Sequence, residues 1–471
     1  MKKLFGTDGM RGEAGSFPLD AATVRTAGRS LAARLSSAAH GRAARIVTGR
    51  DTRESGAWIE RAFVEGARAA GASCESAGVI TTPGVAFLTR MLPADAGVVV
   101  SASHNPFHDN GIKIFSPTGR KLDDATERLI EADIHAERGK NESAALTKDE
   151  GGSAETTKAE ESADATKADD APAAELRERY LDYLSGEVAD GLRLEGLSVV
   201  VDCANGAASE LAPALMSRLG ARVSAINYAP DGRNINRDCG SLDMSGLRRR
   251  VLEEDAHFGV AFDGDADRAL FVDARGELVD GDATLWVLAK HLAQQGILGG
   301  GRVVATVMSN IGLELALRSR GIELLRTDVG DKYVLEELLR TGAEVGGEQS
   351  GHIIFPRVSL AGDGLITALS LLRVMRETGQ PLHELTEGFT RYPQVLINVR
   401  VREKSPFNEV EEIARCARDT EAKLGARGRL LLRYSGTEPL ARVMIEGPEQ
   451  NEIERLADAL ASVIRQSLGA A

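Results

Sequence analysis

Four short polar stretches carry the residue types that do chemistry. The first is Ser101-Ala102-Ser103-His104-Asn105-Pro106. It follows the apolar run Gly97-Val98-Val99-Val100, which reads as a buried strand, and Pro106 should stop regular structure just beyond it. A serine is thereby presented at a strand end beside His104, where open α/β sheets place their chemistry. Taken alone, the hexapeptide also suits a capped turn. The second stretch is Asp263-Gly264-Asp265-Ala266-Asp267-Arg268, set between the strand-like Gly259-Val260-Ala261-Phe262 and Ala269-Leu270-Phe271-Val272. Carboxylates at Asp263, Asp265 and Asp267 in one loop can converge on a hard cation, and Mg²⁺ takes few protein oxygens and favours phosphate as a further ligand. An EF-hand is disfavoured, since Arg268 and Ala274 stand where that loop needs its Gly and its Glu. A solvated acidic turn is the plain alternative, but three like charges this close repel one another unless a cation joins them.

The third stretch, Arg433-Tyr434-Ser435-Gly436-Thr437-Glu438-Pro439 with Arg442 beyond it, gathers hydroxyls, a Gly backbone N–H and arginines. That combination suits a phosphate-sized anion, and Arg can contact phosphate oxygens bidentately. The Walker A spacing is absent. The fourth, Gly346-Gly347-Glu348-Gln349-Ser350-Gly351-His352, offers a carboxylate and a hydroxyl two residues apart, able to bond vicinal sugar hydroxyls. His352 could assist a phosphate or a proton transfer. Ordinary Gly-rich turns remain the bland reading of both. The N-terminal run Phe5-Gly6-Thr7-Asp8-Gly9-Met10-Arg11-Gly12 adds Arg11. Lys113, in Asn110-Gly111-Ile112-Lys113, returns towards Ser103 and would serve as acid or base if its pKa were depressed. Gly49-Arg50-Asp51-Thr52-Arg53 reads as structural, a helix N-terminus with an internal ion pair, and receives no catalytic role.

These stretches need a scaffold. Short β-branched runs (44–48, 197–201, 302–307) alternate with helical patterns such as Trp58 to Ala70 and Leu211 to Leu219, which implies parallel or mixed α/β sheets. From about Pro381 the pattern changes to strand, helix, two strands and a final helix, as in a smaller α+β domain. The stretch from Gly139 to Ala171 has Leu146 as its only large apolar residue. It reads as a disordered or weakly helical linker, with an Ala/Glu/Lys-rich helix as the structured alternative. The expected divisions are 1–138, a linker at 139–174, then 175–275, 276–380 and 381–471. The chain has 471 residues, a net charge of -13, 43% hydrophobic and 27% charged residues, an ordinary composition for a globular protein. That charge argues against general nucleic-acid binding. No apolar run is long enough to span a membrane, and Met1 to Asp8 lacks the apolar core of a signal peptide. The four cysteines form no CxxC pair, so a cytoplasmic protein with free thiols is expected.

A phosphoryl-carrying serine, a Mg²⁺ loop, a sugar-reading loop and a phosphate clamp occur in four separate stretches and in one order. In this the chain resembles the α-D-phosphohexomutase superfamily, and within it the bacterial phosphoglucosamine mutases, on the N-terminal run, Gln349 and Gly436. The resemblance implies four domains around a central cleft, three α/β and a smaller C-terminal α+β domain. It implies conversion of glucosamine 6-phosphate to glucosamine 1-phosphate through a phosphoserine at Ser103, with glucosamine 1,6-bisphosphate as intermediate and activator. Asp263, Asp265, Asp267 and Ser103 would hold one Mg²⁺. Lys113 would be the acid/base, and His104, Arg11, Arg268 and His352 would complete the reacting centre. Glu348 and Ser350 would hold the sugar; Arg433, Ser435, Gly436, Thr437 and Arg442 would hold the distal phosphate. Only a small-molecule partner is implied, with a monomer or homodimer as the assembly. The rivals are a phosphoglucomutase or phosphomannomutase, a non-catalytic sugar-phosphate sensor and, third, a metal-dependent phosphatase. Two features depart from the pattern: the long acidic linker, and Asp331-Lys332 where relatives often carry Asp-Arg.

Overall fold

The computed structural model describes residues 3–6, 8–38, 42–146, 170–435 and 438–469. Its eighteen described strands form four sheets. The first sheet contains β1 (Phe5–Gly6), β2 (Gly9–Glu13), β3 (Arg45–Arg50), β4 (Ser73–Val79), β5 (Ala96–Val100) and β6 (Asp109–Phe115), ordered β1-β2-β6-β5-β3-β4. Strands β3, β4 and β5 run parallel, while β6, β2 and β1 extend the sheet antiparallel, so it is mixed. The second contains β7 (Ser198–Asp202), β8 (Arg222–Ile226), β9 (Phe258–Phe262), β10 (Ala269–Asp273) and β11 (Leu278–Val279), ordered β11-β10-β9-β7-β8. The third contains β12 (Arg302–Thr306), β13 (Glu323–Thr327), β14 (Gly346–Gly347) and β15 (Ile353–Ile354), ordered β13-β12-β14-β15. Both are also mixed, with parallel cores and antiparallel edges. The fourth, β16 (Gln394–Arg400), β17 (Arg429–Tyr434) and β18 (Leu440–Glu446), is antiparallel and packs against the helices Glu411–Leu424 and Gln450–Leu468. Three α/β units and a smaller α+β unit are the architecture that the resemblance implied, with the mixed sheets that the alternation announced.

Burial explains the strands that carry the chemistry. Every residue of β5 (Ala96-Gly97-Val98-Val99-Val100) is buried, as is every residue of β7 and β9. Continuous apolar runs of this kind belong to central strands covered on both faces. One core runs through the second and third units and takes in Val47, Ile80 and Val99 of the first, so these units share buried contacts. The fourth keeps its own core.

Part of the stretch read as a linker, 139–174, is helical. Helix Asp124–Leu146 continues through 139–146, and helix Asp170–Asp182 begins inside the same stretch. Ala, Glu and Lys are strong helix formers, and a helix already begun extends cheaply through them. Residues 147–169 of that stretch lie outside the described residues.

Candidate active site

Each chemical stretch is a loop at the end of a strand pair. Ser103 sits just past β5, and Lys113 on β6 pairs with Val99 of β5, so one hairpin carries both. Arg11 on β2 lies opposite Gly111 of β6. A Cβ at position 111 would meet the Ser101 carbonyl oxygen at 2.6 Å and the Arg11 Cγ at 3.1 Å, so Gly admits both loops. Asp263 to Arg268 form the turn joining β9 to β10, and Glu348 to His352 the turn joining β14 to β15. The two turns abut, since the Ala269 N–H donates to the Gly351 carbonyl at 3.2 Å.

Ser103 is 1% exposed with φ +52°, a left-handed conformation uncommon for a non-glycine residue. Its Oγ donates to Asp263 Oδ2 and lies 3.3 Å from His104 Nδ1. Asp263, Asp265 and Asp267 are buried, with one oxygen of each within 4.8 Å of the others. Ala266, inside this turn, also has positive φ, +56°. Asp265 Oδ1 and Asp267 Oδ1 are buried without a hydrogen-bond partner. Buried unpaired carboxylate oxygens are rare in folded proteins. Three converging carboxylates with spare lone pairs suit a hard divalent cation such as Mg²⁺. Burial, then the neighbouring Asp267 and Asp265, push the Asp263 carboxyl well above its ordinary range.

Lys113 is held among carboxylates. Its ammonium is 1% exposed and lies 2.7 Å from Asp265, 3.3 Å from Asp8 and 3.4 Å from Asp267. Burial pulls its pKa down, but the charges of Asp265, Asp8 and Asp267 outweigh that, and it stands well above an ordinary lysine. The condition attached to Lys113 in the sequence, a depressed pKa, is not met, because carboxylates outside its own stretch of chain hold the charge.

Cations surround the same cluster. Arg268 Nη1 lies 3.4 Å from His104 Nδ1, and its Nε 3.8 Å from Asp267. His352 lies 3.7 Å from Asp267 and 3.8 Å from Asp331. Burial opposes its charge, yet Asp267 and Asp331 raise its pKa to about 9. Arg11 pairs with Asp8. Arg11 Nε, Arg268 Nε and His352 Nε2 are buried donors with no hydrogen-bond partner. Glu348 accepts the Gly330 N–H at 3.1 Å, and Ser350 Oγ lies 3.5 Å from Glu348 Oε2.

In the fourth unit, Arg433 and Arg442 stand directly opposite each other on β17 and β18. Like charges so placed repel. Arg433 Nη2 approaches Met308 Sδ at 3.8 Å, and Arg442 Nη2 approaches Ser435 Oγ at 3.4 Å. Burial, then Arg442, lower the Arg433 pKa, and Arg442 Nε is buried without a partner. The partners described for Arg433, Ser435 and Arg442 lie in the third and fourth units, so this clamp stands apart from the Ser103 cluster. Gly436 and Thr437 lie outside the described residues.

Sequence reasoning passed over several members. Asp8 bridges Lys113 and Lys121, and Lys121 bonds Asp331 at 2.8 Å, tying the first unit to the third beside His352. Asp8 stood within the N-terminal run, where only Arg11 drew attention. Thr82 Oγ1 donates to Asp265 at 2.5 Å. Lys332, of the unusual Asp331-Lys332 pair, bonds Asp124 at 2.6 Å across the same boundary. A cavity of about 460 Å³ lies between the first and third units, reaching Lys113, Asp267 and His352.

Four units, each offering a loop at a strand end, with two anion-seeking stations and a buried carboxylate triad, define the class of a phosphate-handling multidomain α/β enzyme. Family descriptions match in chain order: phosphoglucomutase/phosphomannomutase alpha/beta/alpha domain I at 2–141, domain II at 178–276, domain III at 280–392 and the C-terminal domain at 396–463. The chain belongs to the phosphoglucomutase/phosphomannomutase family. It is 48% identical to a phosphoglucosamine mutase of Solibacter usitatus, over 99% of both chains. It is 47% identical to one of Syntrophotalea carbinolica, over 99% of this chain and 98% of the relative. Among solved structures, a phosphoglucomutase/phosphomannomutase family protein of Burkholderia thailandensis matches with a TM-score of 0.75 at 24% identity, covering 99% of both chains. An Aspergillus fumigatus N-acetylphosphoglucosamine mutase, solved with GlcNAc-6P and magnesium, matches with a TM-score of 0.59 at 18% identity, covering 98% of this chain and 95% of that one. No helix among the described residues is long and apolar enough to cross a membrane.

Proposed function

We propose that this chain interconverts glucosamine 6-phosphate and glucosamine 1-phosphate in the cytoplasm, through a phosphoserine at Ser103 and a glucosamine 1,6-bisphosphate intermediate. The observation that carries this reading is the Ser103 hydroxyl, buried against Asp263 while the donors Arg11 Nε, Arg268 Nε and His352 Nε2 make no hydrogen bond. A transferring phosphoryl group supplies the acceptor oxygens those donors lack. The amino sugar is preferred over glucose or mannose on the relatives at 44–48% identity, each named phosphoglucosamine mutase.

Asp263, Asp265, Asp267 and the phosphorylated Ser103 would hold Mg²⁺, which when bound neutralises charge on the transferring group. The phosphoryl group leaves the Ser103 oxygen for a free hydroxyl of the sugar phosphate. Lys113 occupies the position to handle the proton that passes from that hydroxyl to the serine oxygen. Arg11, Arg268 and His352 spread the developing charge over fixed donors. Glu348 and Ser350 hold the sugar hydroxyls. The bisphosphate turns over, and its other phosphoryl group returns to Ser103. The repulsion between Arg433 and Arg442 is relieved by an anion between them, so the clamp with Ser435, Gly436 and Thr437 fits the phosphate that is not reacting. Remote binding of this kind orients both ends of a substrate that must reverse.

The test is a coupled assay for glucosamine 1-phosphate from glucosamine 6-phosphate, with Mg²⁺ and bisphosphate, run beside glucose and mannose 6-phosphates. Wild type should favour the amino sugar, and Ser103→Ala should lose at least about 10³-fold in kcat. Turnover confined to glucose or mannose phosphates would reassign the substrate. No turnover of any hexose phosphate would remove the enzymatic reading.

A further inference from the structure

The Gly49 to Arg53 stretch, structural by its sequence, encloses the nucleophile. The Arg53 side chain is fully buried. A guanidinium has five N–H donors, and each has an acceptor here. Nε bonds Asp51 Oδ2 at 2.9 Å. Nη2 bonds the carbonyls of Ser103 at 3.0 Å and Asn105 at 2.8 Å. Nη1 bonds the Asp109 carbonyl at 3.0 Å and the Pro106 carbonyl. Four of the five acceptors are thus main-chain oxygens of the loop that presents Ser103 and of the first residue of β6.

The other side of Ser103 is held as well. Its N–H donates to Ser101 Oγ at 2.9 Å, and Ser101 Oγ donates to Asp51 at 2.6 Å. Asp51 therefore anchors both arms, one through Arg53 to the Ser103 carbonyl and one through Ser101 to the Ser103 N–H. Between the arms, Ser103 keeps its left-handed φ of +52°, a conformation that persists only where the surroundings over-determine it. From the second unit, Asn236 Nδ2 adds bonds to the Ser103 and Asn105 carbonyls at 2.8 and 3.2 Å.

We infer that Arg53, with Asp51 and Ser101, is the positioning device of the transfer: it clamps the main chain on both sides of Ser103 and so aims the serine oxygen at Asp263. This rests on the phosphoserine reading above. A lysine cannot replace the device, because one ammonium offers three donors from a point and cannot span four carbonyls and a carboxylate. The clamp touches neither the sugar loop nor the Arg433–Arg442 pair, so substrate affinity is independent of it.

The experiment compares the full-length wild type with Arg53→Lys, Arg53→Ala and Ser101→Ala, recording thermal midpoint, kcat and KM for glucosamine 6-phosphate. Intact mass gives Ser103 phosphorylation after incubation with glucose 1,6-bisphosphate. A misplaced nucleophile of this kind loses about 10²-fold in rate. Arg53→Lys should lose that much in kcat with KM within about threefold of wild type and with slower phosphorylation, and Ser101→Ala should lose about tenfold in kcat alone. Millimolar guanidinium should restore part of the Arg53→Ala rate. If Arg53→Lys does not fold, Ser101→Ala decides. Folded variants with wild-type kcat, or losses that only follow the unfolded fraction, overturn the positioning role. A wild type inactive on every hexose phosphate would instead overturn the phosphoserine reading itself.

Discussion

At the residue scale, the close approaches decide what can be changed. Gly264 separates two of the three carboxylates, and a Cβ there would meet the Ser103 carbonyl oxygen at 2.5 Å and Asn236 Nδ2 at 2.9 Å. Gly264→Ala should therefore push the acidic turn away from the serine, and a displacement of that size lowers kcat by about 10²-fold while the thermal midpoint moves little. Retained activity would show that the two loops need not touch. Asp265→Asn should weaken Mg²⁺ binding by at least about tenfold, because one charge and one hard oxygen leave the triad; calorimetric titration with Mg²⁺ measures it. The chemical residues were legible because each group lies within one contiguous stretch. Asp8, Lys121 and Asp331 were not, since Lys121 and Asp331 are 210 positions apart and meet only when two units dock. The charge state of Lys113, left conditional by the sequence, was hidden for the same reason: two of its three carboxylates lie in another unit.

At the element scale, strands and helices followed from apolar runs and helical spacing. The strands at 45–50, 198–202 and 302–306 and the helices Gly56–Ala69 and Leu211–Arg218 fall within a few residues of the patterns that announced them. What no pattern announced is how the helix Gly364–Thr378 is fastened. Its N-cap Asp363 accepts the Leu365 and Ile366 N–H groups and also the Tyr180 hydroxyl at 2.5 Å, from a helix of the second unit. Burial raises the Asp363 carboxyl to about 6. The folded state then holds a proton that the unfolded state has released, so stability should fall as pH rises from about 4 to about 6 and level off above. The two-unit shift bounds the effect at about 3 kcal/mol. Thermal melts of wild type and Asp363→Asn across this window check it: the difference between them should narrow on the acid side, and parallel profiles would exclude Asp363 as the source.

At the scale of the whole molecule, the fourth unit is joined to the third through a buried carboxylate. Glu446 is 0% exposed, pairs with Arg429 at 2.8 Å and accepts from the Ile311 N–H and Asn310 Nδ2 at 3.2 Å each. Glu446→Ala strands Arg429 and a helix N-terminus, and should destabilise the junction by roughly 3–5 kcal/mol. Denaturant titration measures that loss, and a change below about 1 kcal/mol would mean that the junction is held elsewhere. Because the fourth unit carries the proposed distal clamp, KM should rise more than kcat falls. The meeting of the first and second units bears on the order in which the chain is made. Lys113 precedes Asp265 by 152 positions, and Ser103 precedes Asp263 by 160. A ribosome completes the hairpin bearing both groups well before it reaches the acidic turn. Until then Asp8 is the only one of the three carboxylates available to that lysine, and an ammonium cannot enter an apolar interior so poorly matched. During synthesis the lysine of this hairpin is therefore short of two of its three carboxylates, and it gains them when the second unit arrives.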